Sequence, residues 1–356
     1  MGMNCSRCDI LQSEPQNEVT RNSIKIRNEK QISYISFDFS SYSKEEKKIV
    51  TLQRHIRHFL SQNSSNRSHI PNISLQKLEQ GEMVTRSKNE DYSSPNKPKS
   101  NYVENYQIND YAVYTGDIVN GIPNGKGTQI WKDGAKYEGE WKNGKANGYG
   151  IFYHTDGDIY KGMWKDDKAN GEGIYISNDG VNYEGHWLDD FQNGYGVETW
   201  KDGSSYKGNY VLGKKQGYGE YTWNDGSKYA GNWVDNFHEG YGTYTWPDKK
   251  TYTGYFKRNN MEGEGQYKWP DGREYIGEFS RGKKNGIGKY IWKDGRSYVG
   301  FWAMGKQHGL GLYTNESNMY QFGIWVNGKR TRWLNEQEVD EIKSDDCYKK
   351  IINFIK

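Results

Sequence analysis

Two spacing rules alternate along the chain and divide it into three zones. From about residue 106 to 333, aromatic and glycine positions share one parity and charged positions the other, as with Tyr137, Gly139 and Trp141 against Glu138, Glu140 and Lys142. That period of two predicts strands with one buried face. Gly217, Gly219, Tyr221 and Trp223 repeat it. The flanks follow a helical period instead. After Ser43-Lys44-Glu45-Glu46, which has the form of a capping box, Ile49, Leu52, Ile56, Phe59 and Leu60 predict one short amphipathic helix near 43–61. Asn335 with Glu338 is a second capping signature, and Tyr348, Ile351, Ile352 and Ile355 then predict a short helical tail over 334–356. The rest of 1–105 is rich in Ser, Asn, Gln and Lys, with Pro15, Pro71, Pro95 and Pro98, and reads mostly as disordered linker.

The middle zone, 106–333, is a repeat array. Tyr114, Tyr137, Tyr160, Tyr183, Tyr206, Tyr229, Tyr252, Tyr275 and Tyr298 recur every 23 residues. The unit reads Tyr-x-Gly-x-Trp-x-x-Gly-x-x-x-Gly-x-Gly-x-x-x-Trp-x-Asp-Gly-x-x, and a truncated tenth copy keeps Gly323, Trp325 and Gly328. Each unit predicts a β-hairpin with one aromatic-glycine face, and its Asp-Gly predicts a tight turn of positive φ to the next. The structural aromatics include Tyr137, Trp141, Tyr160, Trp164, Tyr183, Trp187, Tyr229 and Trp233. Glycine weakens a strand interior by roughly 0.5–1 kcal/mol, so its recurrence needs a reason. Gly139, Gly148, Gly150, Gly217 and Gly219 are expected to give neighbouring rings a flat floor, and Val at Gly148 or Gly219 to evict a ring. At about 4.8 Å per strand, nine to ten hairpins predict an all-β, elongated, single-layer antiparallel sheet on the order of 90 Å long. Such a sheet encloses no pocket.

Composition supports this picture. Hydrophobic residues make up 33% of the 356 and aromatics alone 15%, which leaves too little aliphatic material for a large close-packed interior. The 13 Trp and 30 Tyr also separate the array from a disordered chain. No apolar run reaches the roughly 20 residues of a membrane span, and the N-terminus has no apolar stretch typical of a secretory signal. Three cysteines form no paired framework and are expected to be reduced thiols. The net charge of +3 is too balanced to point to nucleic acid.

The repeated unit resembles the MORN (membrane occupation and recognition nexus) repeat over residues 114 to about 333. The resemblance implies a single-layer antiparallel sheet, a role in membrane association or scaffolding, and frequent self-association. It implies no chemistry. Asp167, Asp190, Asn236 and Asn259 stand where other copies have a turn Gly, and Asp and Asn tolerate the left-handed conformation best among the other residues.

Candidate functional residues lie outside the repeat pattern or in its charge. Met1-Gly2-Met3-Asn4-Cys5-Ser6 matches the myristoylation pattern at Gly2, with Cys5 and Cys8 beside it for palmitoylation. One myristoyl chain binds only at about 10⁴ M⁻¹, so a second would make anchoring stable. Cys5-x-x-Cys8 as half a zinc site is the competing reading, but no second Cys pair or His pair follows at finger spacing. Arg21, Lys25, Arg27, Lys30, Lys44, Lys47 and Lys48 follow the anchor, suited to anionic lipid or simply to a solvated linker. Leu52, Gln53 and Arg57 faintly resemble a calmodulin-binding IQ motif, with His58 and Gln62 departing from it.

Charge within the array is uneven. Residues 114–251 carry 15 basic and 20 acidic side chains, whereas 252–333 carry 14 and 7. Arg281, Lys283, Lys284, Lys289, Lys293 and Arg296 form a candidate anionic-ligand patch for a phosphoinositide or an acidic protein. The opposite signs would also suit an antiparallel homodimer. Scattered His residues at different repeat positions build no common catalytic site, and the Gly-x-Gly pairs recur inside strands instead of opening a phosphate-binding helix. The 23 residues after Trp333 are too few for an enzyme domain.

Neither a metal nor a cofactor is expected. The sequence therefore predicts a non-enzymatic scaffold or adaptor, held by N-terminal acyl chains to the cytoplasmic face of a plasma, cortical or ciliary membrane. It would present its sheet to a protein partner and, as a second ligand, to anionic phospholipid. Two alternatives remain open: a structural component of the ciliary axoneme, similar to the MORN proteins of radial spoke heads, and a regulatory subunit of a lipid-modifying enzyme.

Overall fold

The computed structural model describes residues 101–355. The lipidation residues Gly2, Cys5 and Cys8, the expected helix near 43–61 and the IQ-like residues lie outside them. The described chain divides into two units, residues 101–236 and 237–355. In the first, twelve strands from β1 (Asn101–Asn109) to β12 (Lys228–Val234) each pair antiparallel with the next, in an open single-layer meander. β1 is an edge strand laid on β2 (Ala112–Val119), and it begins five residues before the repeat zone read from the sequence. The second unit runs the same way through nine strands, from β13 (Phe237–Thr245) to β21 (Lys329–Trp333), and ends in helices α1 (Glu336–Ile342) and α2 (Asp346–Ile355).

The fifth repeat shows how the unit is built. β10 (Ser205–Val211) and β11 (Lys214–Thr222) meet at Leu212-Gly213, both with positive φ (48° and 81°). Two such residues make a type I′ turn, whose twist matches that of the strands it joins. Asp167, Asp190, Asn236 and Asn259 hold the same place at φ of 67–72°. Their side chains add a bond that Gly cannot make: Asp167 Oδ1 accepts the Ala146 N–H at 2.7 Å, and Asn236 Oδ1 that of Lys215 at 2.7 Å. These residues thus tie each hairpin to the one before. Consecutive hairpins join at Trp200-Lys201-Asp202-Gly203, where the Gly203 N–H donates to Trp200 O and Asp202 Oδ1 accepts from Ser204.

The glycines divide by role. Gly208 pairs with Gly219, and Tyr210 pairs with Lys215, so β11 carries extra residues in a bulge that contains Gly217 at φ 70°. Gly219 lies under the Tyr206 ring, where a Cβ would come within 2.6 Å of it. Gly139 and Gly150 serve Tyr137 in the same way. Gly148, at φ 115°, has the bulge role of Gly217, so ring eviction applies to Gly219 and Gly150 but the constraint at Gly148 and Gly217 is backbone conformation.

Across from the bulge, the carbonyl three residues after each tyrosine accepts from its hydroxyl, a bond that Phe could not make. Tyr206 OH donates to Asn209 O at 3.1 Å, Tyr137 OH to Glu140 O at 3.0 Å and Tyr229 OH to Asn232 O at 2.9 Å. The tryptophans bond between hairpins: Trp164 Nε1 donates to Gly150 O at 3.3 Å, and Trp233 Nε1 to Gly219 O at 3.1 Å. Tyr and Trp rings meet edge to face, as Tyr160 does with Trp164 at 5.1 Å and with Trp187 at 5.3 Å. All eight structural aromatics read from the sequence are buried.

The C-terminal tail forms two helices. Asn335 and Glu338 make the expected capping box on α1. α2 turns Cys347, Tyr348, Ile351 and Ile352 onto the face of its unit opposite the rings, against Val299, Leu310, Leu312, Phe322 and Ile324. Ile355, read as part of the same stripe, is 45% exposed at the last turn.

Candidate binding faces and two caged lysines

The ring face is interrupted by a column of variable residues that follows the hairpin turns: Ala146, Ala169, Gln192, Lys215, His238, Met261, Lys284, Gln307 and Arg330. Ala fills the space beside the rings without a polar atom. Lys215 fills it with a charge. Its Nζ lies 5.2 Å from the Trp200 ring centroid, 5.1 Å from Tyr206 and 5.6 Å from Tyr210, and 3.3 Å from Glu198 Oε2. Tyr210 OH donates to the same carboxylate oxygen at 2.8 Å. Tyr210 stands where most copies have Trp, and Glu198 where most have Tyr or Phe. Three departures from the repeat therefore meet in one neutralised cluster.

Lys284 lies three periods further on, in the second unit. Its Nζ sits over four rings, 4.3 Å from Tyr290, 4.8 Å from Trp302, 5.0 Å from Tyr275 and 5.1 Å from Trp269. Tyr267 occupies the place of Glu198, and Phe279 that of Tyr210. Among the described residues, no carboxylate lies within ion-pair distance of Lys284. Burial, with the charge of Arg273 second, lowers its ammonium to about 8. In the same column, burial lowers His238 to about 3, so it is neutral at physiological pH.

The six residues of the candidate anionic patch do not converge. Arg281 is exposed at the hairpin turn, with its N–H bonded to Glu262 Oε2 at 2.8 Å, and half-buried Lys283 follows it. Lys293 and Arg296 lie beyond the other end of β17 (Lys283–Ile291), about 30 Å away at roughly 3.3 Å per residue. Arg296 is held by Asp294 at 2.7 Å and faces Trp292. Lys289 has the parity of Ile287 and Ile291 and so faces away from the rings. A strand alternates its faces and separates its ends, so clustering in sequence did not become clustering in space. Lys284 alone enters the ring face as a caged cation.

The cover of the face opposite the rings changes along the chain. In residues 237–355 its middle columns hold aliphatic residues beneath α1 and α2 in the last repeats and the exposed Tyr241 and Tyr255 in the earlier ones. In residues 101–236 the equivalent columns carry Met163, Ile174, Tyr195 and Tyr218, the two tyrosines 56% and 57% exposed. Among the described residues, no group of three or more His, Cys, Asp or Glu side chains could hold a metal ion.

The model of the MORN repeat matches nine consecutive segments: 114–136, 137–159, 160–181, 183–205, 206–228, 229–251, 252–272, 275–295 and 298–319. The chain belongs to the MORN-repeat family. MORN repeats are generally non-catalytic and are known for protein and membrane interaction. No curated protein matches this MORN chain. Among solved structures it is similar to a point mutant of the TCP10 domain of Danio rerio CPAP, at 13% identity over 58% of this chain and 97% of that one, with a TM-score of 0.34. It is also similar to the TCP domain of Drosophila melanogaster SAS-4 (dCPAP), solved with a proline-rich motif of Ana2 (dSTIL), at 12% identity, 56% and 100% coverage and a TM-score of 0.29. Likeness at this level carries no weight for function.

Reading the sequence missed the cluster of Glu198, Tyr210 and Lys215. Its signal was present: two of the three break the repeat consensus, and the third introduces a charge into a column that holds Ala in earlier copies.

Proposed function

We propose that this MORN protein is a non-enzymatic scaffold that docks a partner's amphipathic helix on the face opposite its rings, while N-terminal acyl chains on Gly2 and Cys5, with Cys8 as a further acceptor, hold it to the cytoplasmic face of a membrane. The observation that carries the docking role is the uneven cover of equivalent columns, helical over Leu310 and Ile324 and open at Tyr195 and Tyr218. The chain seats its own amphipathic α2 on Leu310, Leu312, Phe322 and Ile324, whereas Tyr195 and Tyr218 stand open to solvent. An exposed aromatic stripe of this kind favours association, because tyrosine offers apolar area together with a polar rim. Support for the anchor is the match of the first six residues to the acylation pattern, with cysteine adjacent for a second chain.

Two experiments separate the parts. Labelling cells with a myristate analogue and fractionating wild type against Gly2→Ala tests the anchor: the label and the membrane fraction are both lost in the variant, and retention of both refutes it. The double variant Tyr195→Glu, Tyr218→Glu tests the docking face. It leaves the fold and the membrane fraction intact and abolishes recovery of the cross-linked partner, and recovery equal to wild type refutes the docking reading.

A further inference from the structure

We infer that Lys284 is a docking point for a carboxylate from an acidic peptide segment of a partner, which supplies from outside what Glu198 supplies to Lys215 from within. The inference rests on the docking reading above and adds a second site, on the ring face.

The chain contains its own control. Lys215 and Lys284 occupy one repeat position, both among aromatic rings. At Lys215 the charge is balanced by Glu198 at 3.3 Å, Tyr210 OH completes the carboxylate, and both charged side chains are almost wholly buried. At Lys284 the two residues that serve the ion pair are replaced together, by Tyr267 and Phe279, and the lysine is half-buried where Lys215 is almost wholly buried. Ring faces attract an ammonium but do not neutralise it, so a desolvated cation remains that a carboxylate would satisfy. Residues 252–333 carry 14 basic and 7 acidic side chains, which draws an acidic partner toward this segment. The lowered proton affinity of Lys284 agrees with a missing counter-ion, because a bound carboxylate would raise it again. A peptide is favoured over a phosphate headgroup because the group that nature placed beside Lys215 is a side-chain carboxylate, and because the half-buried Trp269, 5.1 Å from Lys284 Nζ, offers an apolar edge suited to a chain segment.

The test uses the full chain and a fluorescein-labelled decapeptide of alternating glutamate and glycine, followed by fluorescence anisotropy. Lys284→Met, which keeps the packing of the stem, weakens binding about tenfold or more. The pair Tyr267→Glu, Phe279→Tyr rebuilds the internal counter-ion and weakens binding to the same degree without lowering the thermal midpoint. Lys207→Met, at an exposed position of the first unit, leaves binding unchanged. In wild type the peptide also slows acylation of Lys284 by an amine-reactive reagent, read by mass spectrometry. Equal binding by wild type and Lys284→Met, or binding without protection of Lys284, overturns the inference while leaving docking at Tyr195 and Tyr218 standing. Dependence on Lys284 of binding to phosphatidylserine vesicles or inorganic phosphate, but not to the peptide, overturns it in favour of a phosphate ligand.

Discussion

Lys215 Nζ lies 3.3 Å from Glu198 Oε2 with only 4% and 5% of the two side chains exposed, a closed ion pair inside a wall of rings. Both charges lose their hydration on folding, and their attraction offsets that loss only while both are present. Lys215→Met alone leaves a buried carboxylate and is expected to cost about 3–5 kcal/mol. Combining it with Glu198→Tyr, the residue most common at that repeat position, is expected to recover most of this or exceed wild type. Denaturant unfolding of the two singles and the double closes the cycle, and a double variant no better than the worse single would refute the account.

The two glycine roles are separable. At Gly219→Ala the new methyl meets the Tyr206 ring, an overpacking cost of about 1–3 kcal/mol. At Gly217→Ala nothing blocks the methyl, and the cost is that of a left-handed backbone, about 1–2 kcal/mol. Adding Tyr206→Leu to each variant distinguishes them: it offsets part of the Gly219 defect and none of the Gly217 defect. Thermal unfolding measures both.

His238 ties stability to pH. It titrates at about 3 in the folded chain because it is buried, against an ordinary value of 6.5. Between those values the unfolded chain takes up a proton that the folded chain refuses, so stability falls as pH drops from 6.5 toward 3. Above that window this group contributes no slope. The slope approaches about 1.4 kcal/mol per pH unit for one proton. His238→Gln is expected to remove that component, seen as a flatter dependence of the denaturation midpoint on pH.

Lys249 holds φ 68° in the linking turn where most copies have Gly. Its side chain is exposed, so nothing compensates the strain. Lys249→Gly is expected to stabilise by about 0.5–1 kcal/mol, the left-handed penalty less the entropy of a freer unfolded chain. A lower melting temperature for the variant would refute this.

Ile351 is 0% exposed at the centre of the contact between α2 and the sheet. Ile351→Ala is expected to cost about 2–5 kcal/mol, through lost transfer energy and a cavity. Removal of α2 should go further, exposing Leu310, Leu312 and Ile324, and the truncated chain is expected to associate in sedimentation experiments.

How much of this was legible depends on the range of the cause. The 23-residue period, the parity of the strands, the positive-φ turn glycines and the capping box of α1 are set by neighbours within a hairpin or a helical turn, so pattern alone carried them. The charged patch misled because sequence proximity ignores strand alternation: Lys284 and Lys289 are five residues apart and face opposite sides. The bulge was also invisible, since an extra residue in one strand shows only against its partner's register, and it is what divides the work of Gly217 from that of Gly219.

The sequence by itself determined the hairpin unit, its repetition and the face that buries its rings, because a period of two fixes which side chains point together. Tertiary structure alone decided that Glu198 reaches Lys215, that no carboxylate among the described residues reaches Lys284, and that α2 covers the far face of the last repeats. Those facts depend on which residues two strands and a returning helix bring within a few ångströms, a distance that no local pattern encodes.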